Sequence, residues 1–317
     1  MTENEWIIYL KKYLHQNDEV LATHNEDCAV IRVDDRKYLL LTTDALVENV
    51  HFKLQYTDYY SLGVKLASSN LSDIAAMGGK PLWALLTLGS KEPLDYSWLD
   101  PLMEGLISTL ELYGAKLVGG DTVRSETFFL NLSLIGETPK PILRSGARPG
   151  DSIFVSKELG LSSAFLRYIV DTPLEKVPAP VREAHLRPIP QVDLGLALRE
   201  VANAAIDISD GLLLDLYRIC LASNVSAEIE LDQIPKSPYA NIEEALSGGE
   251  DYALLFTVSD DNIEKLKKVS SELNTTVYYI GKIIEHENKL FLIDERGERK
   301  PLSPQGYDHF TFPLQPL

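Results

Sequence analysis

The segment that most restricts how this chain can fold covers residues 61–77, SLGVKLASSNLSDIAAM. Leu62, Val64, Leu66, Ala67, Leu71, Ile74, Ala75 and Met77 leave little room for a wet face. A helix that is apolar nearly all round is buried. Set into it are Ser68, Ser69, Asn70, Ser72 and Asp73, small or polar groups that let a backbone or a ligand approach closely. A carboxylate there needs a cation or several donors, because burying it unpaired is very costly. The alternative is that Asp73 sits at the helix end and pairs with a backbone amide. Gly78-Gly79-Lys80-Pro81 then stops the helix.

Upstream, residues 28–33 and 37–43 are apolar runs joined by Asp34-Asp35-Arg36, which reads as a β-hairpin. Asp27 stands at the start of the first run, and Thr42, Thr43 and Asp44 end the second. The two ends of an antiparallel pair are adjacent, so both aspartates are expected at one edge. A Thr-Asp ending is also a common turn. The same kind of ending recurs, however. Residues 115–118 lead into Gly119-Gly120-Asp121, residues 204–208 carry Asp207 and lead into Ser209-Asp210-Gly211, and Gly248-Gly249-Glu250-Asp251 precedes the apolar run 253–258. Ser209 or Asp210 could simply cap the helix that follows over 212–220. Asp207 alternates with Ile206 and Ile208 and is harder to read that way.

Further helices are expected over 1–14, 96–113, 161–170, 192–202 and 260–273, and further strands over 81–88, 127–137, 151–155, 277–284 and 289–293. Strand pairs separated by helices, with an antiparallel hairpin, give an α+β unit over 1–138 and an α/β unit over 139–317. The boundary is marked by Pro139, Pro141, Gly146, Pro149 and Gly150. Arg144 lies inside it, either a solvated hinge residue or a phosphate fork. The aromatic tail 305–310 is expected to dock.

Composition narrows the partners. With 47 acidic against 30 basic residues the net charge is −17, which argues against nucleic acid or an anionic membrane surface. Phosphates would have to be bound through cations. Two cysteines outside any CxxC pattern point to a reducing compartment. No apolar run approaches the roughly 20 residues of a membrane span, and the amino-terminal stretch lacks the pattern of a signal peptide. The cytoplasm is therefore expected.

Asp27, Asp44, Asp73, Asp121, Asp207 and Asp210 each adjoin an apolar segment. An all-oxygen ligand set favours magnesium over zinc, and several magnesium ions suit polyphosphate binding and phosphoryl transfer. There is neither a GxxxxGK motif nor an HRD and DFG set.

Seven motifs stand in order: EDCAVI (26–31), LLLTTDALVENVHF (39–52), SSNLSDIAAMGGKP (68–81), LVGGDTVRS (117–125), DISDGL (207–212), GGEDYALLFT (248–257) and GYDHF (306–310). Together they resemble the thiamine-monophosphate kinase family, within a superfamily that includes aminoimidazole ribonucleotide synthetase. That resemblance implies an amino-terminal domain pairing with its twin into a barrel across a homodimer, and ATP-dependent phosphorylation of thiamine monophosphate to the diphosphate. It implies magnesium ligands at Asp27, Thr42, Thr43, Asp44, Asp73, Asp121, Asp207 and Asp210. It also implies ATP contacts at Gly120, Asp121, Arg144 and Ser209, and a thiamine phosphate site at His51, Glu250 and Tyr307. No catalytic side chain is implied, the transfer being direct. The family's usual Gly-Asp-Asp is replaced by Asn25-Glu26-Asp27. The competing readings are another ATP-dependent synthetase of the superfamily, of the aminoimidazole ribonucleotide or selenophosphate type, and a non-catalytic magnesium-nucleotide module.

Overall fold

The apolar segment forms a helix covered on every side, and the architecture follows from what covers it. The computed structural model describes residues 3–14, 16–22, 26–285 and 288–310. The expected helix start at Met1 and the positions His24 and Asn25 lie outside the described residues. In chain order the first half contains α1 (Glu3–Leu10), β1 (Val20–Ala22), β2 (Ala29–Asp34), β3 (Lys37–Val47), α2 (Tyr59–Ala76), β4 (Lys80–Ser90), α3 (Tyr96–Leu112), β5 (Lys116–Arg124) and β6 (Phe129–Thr138). The second half contains β7 (Ser152–Val155), α4 (Leu161–Asp171), α5 (Ala179–Leu186), α6 (Val192–Leu198), β8 (Ala204–Ile208), α7 (Leu212–Ser223), β9 (Ser226–Glu230), α8 (Ile242–Ser247), β10 (Ala253–Val258), α9 (Ile263–Glu272), β11 (Tyr278–Ile284), β12 (Leu290–Ile293) and β13 (Arg299–Leu302).

Among the described residues the strands form two mixed sheets. The first has the order β1-β2-β3-β6-β4-β5 and is antiparallel except for the parallel β4/β5 pair. The second has the order β13-β12-β9-β11-β7-β10-β8, with β12/β9 as its parallel pair. Helix α2 lies between the sheets. A single core joins Leu40 and Leu134 of the first sheet, Leu66, Leu71 and Ile74 of α2, and Ala205, Leu254 and Phe256 of the second. Each fully buried leucine or isoleucine contributes roughly 1.5–3 kcal/mol. The other face of the second sheet, with Ile206, Ile208 and Leu255, packs in a separate core with Leu216 and Ile219 of α7.

Local signals set the ends of α2. Asp58 caps its start, accepting from the Ser61 amide at 2.8 Å and from the Ser61 hydroxyl at 2.7 Å. At its other end Gly78 takes a left-handed φ of 66°, its amide donating to the Ala75 carbonyl at 2.9 Å. The hairpin forms with Ala29 opposite Leu41.

Two strands are longer than the sequence suggests. β3 continues past Thr43 to Val47 because β6 pairs with it from Tyr38↔Thr138 to Val47↔Phe129. Asp44 is therefore a strand residue rather than a strand ending. Likewise β5 runs through Gly119-Gly120-Asp121 to Arg124, held by β4 up to Ser90↔Arg124. The short β1, β9, β13 and α8 carried no clear periodicity, and α5 lies within the proline-rich stretch 172–190. The tail does dock: the Tyr307 amide donates to the Asp210 carbonyl at 3.0 Å.

Helices α2 and α3 meet through two glycines. A Cβ on Gly63 would lie 2.1 Å from the Leu102 carbonyl oxygen, and one on Gly105 would lie 2.1 Å from that of Tyr60. Gly63→Ala is predicted to destabilise the protein. The helix-propensity gain of about 1 kcal/mol is outweighed by an overpacking cost of roughly 1–3 kcal/mol against backbone that cannot rotate away. The urea midpoint measures this, and a midpoint equal to or above wild type would contradict the packing account.

Candidate active site

Three elements deliver carboxylates to one point. Asp27 precedes β2, Asp73 lies in the last turn of α2, and Asp207 sits inside β8, each with an oxygen within 4.8 Å of the others. Asp207 is 2% exposed and accepts from the Ser72 hydroxyl at 2.7 Å. Asp73 accepts from the Thr42 hydroxyl. Strand alternation puts Asp44 on the same face as Thr42, turned toward α2. Burial pushes the Asp73 carboxyl well above the usual range, and Asp44, Asp207 and Asp27 push it further. Asp207 is raised by burial and then by Asp27 and Asp215. Asp44 is raised by burial, with Asp210 and Asp27 adding to it against a hydrogen bond from Ser69.

The cation paired directly with the cluster is Arg144, whose Nη2 lies 2.5 Å from Asp27 Oδ1. Its backbone is pinned too, the amide donating to Glu26 at 2.8 Å and the carbonyl accepting from Ser223 at 2.6 Å. One guanidinium does not balance four neighbouring carboxylates. Asp27 Oδ2 is buried without a hydrogen-bond partner. Like charges this close, with an unsatisfied oxygen and a hydroxyl beside them, fit hard divalent cations in the magnesium class.

The loop after β8 is held by a residue the motifs did not single out. Asp215, fully buried, accepts from the Asp210 and Gly211 amides at 3.1 Å each. Arg218 clamps Asp215 and Asp210, at 2.6 Å to each. Over this loop lies the 248–252 segment, its Glu250 amide donating to the Ser209 carbonyl at 2.7 Å. Glu250 and Tyr252 both adopt positive φ, 62° and 47°. Non-glycine residues rarely hold that conformation outside sites where the surroundings impose it.

Glu250 opens a second group of side chains. Lys65 of α2 is 1% exposed and donates to Glu250 Oε2 at 2.9 Å and to the His51 carbonyl at 3.3 Å. His185 Nδ1 lies 3.4 Å from the same carboxylate and 2.9 Å from the Ser162 hydroxyl, with its ring stacked on Phe165. Although burial works against it, Lys65 holds the Glu250 carboxyl below its usual value. Burial lowers His185 to about 3, with Lys65 adding to it, so its imidazole is neutral at physiological pH. Burial lowers His51 to about 4, and its Nδ1 accepts from the Val47 amide at 3.1 Å. The rings of His51, His309 and Tyr307 follow in sequence, with centroids 5.1 and 4.8 Å apart.

The structure thus brings Asp27, Thr42, Asp44, Asp73 and Asp207 together with Arg144 above them. It sets Ser209 and Asp210 at the adjoining end of β8, Asp210 being paired with Arg218. It gathers His51 and Glu250 around Lys65, with Tyr307 reached from His51 across the ring of His309. Thr43, Gly120 and Asp121 are placed differently. The Thr43 hydroxyl lies 3.1 Å from that of Ser133, on the sheet face turned away from α2, and Asp121 is exposed beside Thr87 on that same face. Sequence reasoning passed over Lys65, His185, Asp215 and Arg218. Lys65 had a signal, being the lone cation in an apolar helix.

Comparison with known proteins bears on the whole chain. Residues 25–138 match the family model for the AIR synthase related protein, N-terminal domain, and residues 148–293 match that for its C-terminal domain. A thiamine-monophosphate kinase of Haemophilus influenzae is 36% identical over 319 residues, covering 95% of this chain and 96% of that protein. That of Escherichia coli K12 is 38% identical over 302 residues, covering 91% of each. A solved structure described as AaThiL complexed with AMPPCP and TMP superposes with a TM-score of 0.84 at 34% identity, covering 98% of this chain and 97% of that one.

The two depressed histidines set a pH dependence. Above pH 6.5 His185 is neutral in folded and unfolded chains alike. Between 6.5 and about 3 the unfolded chain takes up a proton that the folded chain refuses, so stability falls as pH falls. One such group contributes up to about 1.4 kcal/mol per pH unit. Urea unfolding at pH 7.5 and 5.5 is predicted to show a smaller loss on acidification in His185→Gln than in wild type. Equal losses would contradict the buried neutral imidazole.

Proposed function

The chain belongs to the thiamine-monophosphate kinases of the AIR synthase related family, and from that premise we propose how its own residues perform the transfer. The enzyme phosphorylates thiamine monophosphate to thiamine diphosphate with ATP as co-substrate. The observation that carries the residue-level reading is that α2 serves both groups of side chains. Lys65 anchors Glu250 and His51, and eight residues on, about 12 Å along the helix, Ser72 and Asp73 form the acidic cluster. One rigid element thereby sets the spacing between the recognition of the acceptor and the place of reaction.

Magnesium ions held by Asp27, Thr42, Asp44, Asp73 and Asp207, with Asp210 at the rim, would cancel the charge of the two phosphates that must meet. The acceptor needs no base from the protein, because a phosphate monoester has a second pKa near 6 and is already anionic. Its oxygen attacks the terminal phosphorus of ATP, and the bond to the departing ADP breaks in line with it. Arg144 and Ser209 would hold the nucleotide phosphates. The Glu250 carboxylate, kept ionised by Lys65, faces the cationic portion of the acceptor, and Tyr307 and His51 offer ring faces to it. The family-model limits, 25–138 and 148–293, support units of 1–138 and 139–317. Among the described residues no helix is long and apolar enough to cross a membrane, and Cys28 and Cys220 are buried free thiols, which supports a cytoplasmic enzyme.

Supplied with ATP and magnesium, the enzyme is predicted to form thiamine diphosphate from the monophosphate and to leave free thiamine essentially untouched. A neutral alcohol offers neither an anionic nucleophile nor a phosphate to grip. Chromatographic separation of the products reads this, and comparable phosphorylation of free thiamine would overturn the mechanism.

We further propose a homodimer closed across the open face of the first sheet. Leu41, Ile135 and Trp83 form one cross-strand row there, followed by Thr43, Ser133 and Leu85. Leu41, Trp83 and Leu85 are 39%, 47% and 45% exposed, an apolar strip on a sheet face that sheet pairing would cover. The assignment of Thr43 and Asp121 to nucleotide and metal binding rests on the resemblance and on such pairing, since both belong to that face, and that of Gly120, opposite the buried Leu86, rests on the resemblance. Light scattering is predicted to give a dimer mass for wild type and a monomer mass for Trp83→Glu/Leu85→Glu. A wild-type monomer at micromolar concentration would count against the pairing.

A further inference from the structure

A cleft of about 400 Å³ lies away from the acidic cluster, lined by Arg36, Lys37, Lys80, Glu137, Pro139 and Arg199 among others. Four cations face one carboxylate there, in a chain whose net charge is −17. Glu137 is engaged by Lys37 at 2.8 Å, so the charge left over comes from Arg36, Lys80 and Arg199. The wall is built rather than loose. The Arg199 stem packs on Gly78, where a Cβ would meet its Cγ at 2.5 Å, and its Nε donates to the Leu196 carbonyl at 2.9 Å. Thr138 ties the end of β6 to the Gly78 carbonyl at 3.1 Å.

We propose that this cleft is a binding site for a small, multiply charged phosphate anion, separate from the catalytic cluster. Guanidinium and ammonium groups carried by residues that line one cleft are the donors such an anion needs. The cleft spans both halves of the chain. Arg36 and Lys37 belong to the turn and start of the β2/β3 hairpin, Lys80 opens β4 just beyond α2, and Arg199 follows α6. A bound anion therefore bridges the first sheet to α6 while leaving the carboxylates untouched.

Inorganic pyrophosphate is the probe, titrated calorimetrically into the full-length protein in EDTA at low ionic strength. Without divalent cations the acidic cluster repels the probe, so saturable binding reports the basic cleft. One-site binding is expected for wild type, weakened about tenfold or more in Arg36→Ala/Lys80→Ala. It is expected to be unchanged in Lys267→Ala/Lys268→Ala, which removes the same charge from the surface of α9. Arg36 and Lys80 are exposed, and unchanged unfolding midpoints would show that their replacement leaves the fold intact. Absence of saturable binding, retention of full affinity in Arg36→Ala/Lys80→Ala, or equal weakening in both double variants would overturn the site.

Discussion

Mutual repulsion of buried carboxylates is the constraint on which the rest of this structure depends. Asp27, Asp44, Asp73 and Asp207 are held together by elements drawn from both halves of the chain, against the preference of each for water. Bringing them together costs free energy that packing must supply, and the packing that supplies it surrounds α2. The fully buried Leu66, Leu71 and Ile74 fix the helix between two sheets, and Ser72 and Asp73 then point where they must. The hydrogen bonds from Thr42 and Ser72 relieve part of the cost. What they leave is uncompensated negative charge.

The same helix solves the opposite problem at its other end. A lysine with 1% exposure requires a counter-ion, and Glu250 provides it from 185 residues away. Breaking a buried pair by removing one partner is costly because the other charge stays behind. The strained backbone at Glu250 and Tyr252 is therefore kept in place by the pair, by the Ser209 carbonyl and by the buried core of β10. The acidic cluster and the Lys65–Glu250 pair are thus linked by one stiff rod.

Much of this was legible in the residues. An apolar pattern running right round 61–77 could only mean a buried helix, and Asp73 and Asp207 stood out because each interrupts an apolar run. The hairpin followed from its turn, and the tail from its aromatic residues. Strand ends were less legible, since β3 and β5 continue only because β6 and β4 offer them partners, which local sequence does not record. Alternation already separates Thr42 and Asp44 from Thr43, yet the shared Thr-Thr-Asp pattern reads as one ligand set. The pairing of Lys65 with Glu250, and of Asp215 with the amides of Asp210 and Gly211, depends on tertiary contacts that no spacing rule supplies.

A cluster destabilised by its own charge and stabilised by magnesium must show both effects in its unfolding. Thermal unfolding of wild type and Asp73→Asn, in EDTA and across a magnesium titration, tests this most directly. Asp73→Asn is predicted to melt above wild type in EDTA, having lost a repelling charge, while gaining much less from magnesium. A variant that melts below wild type in EDTA and gains as much from magnesium would contradict it.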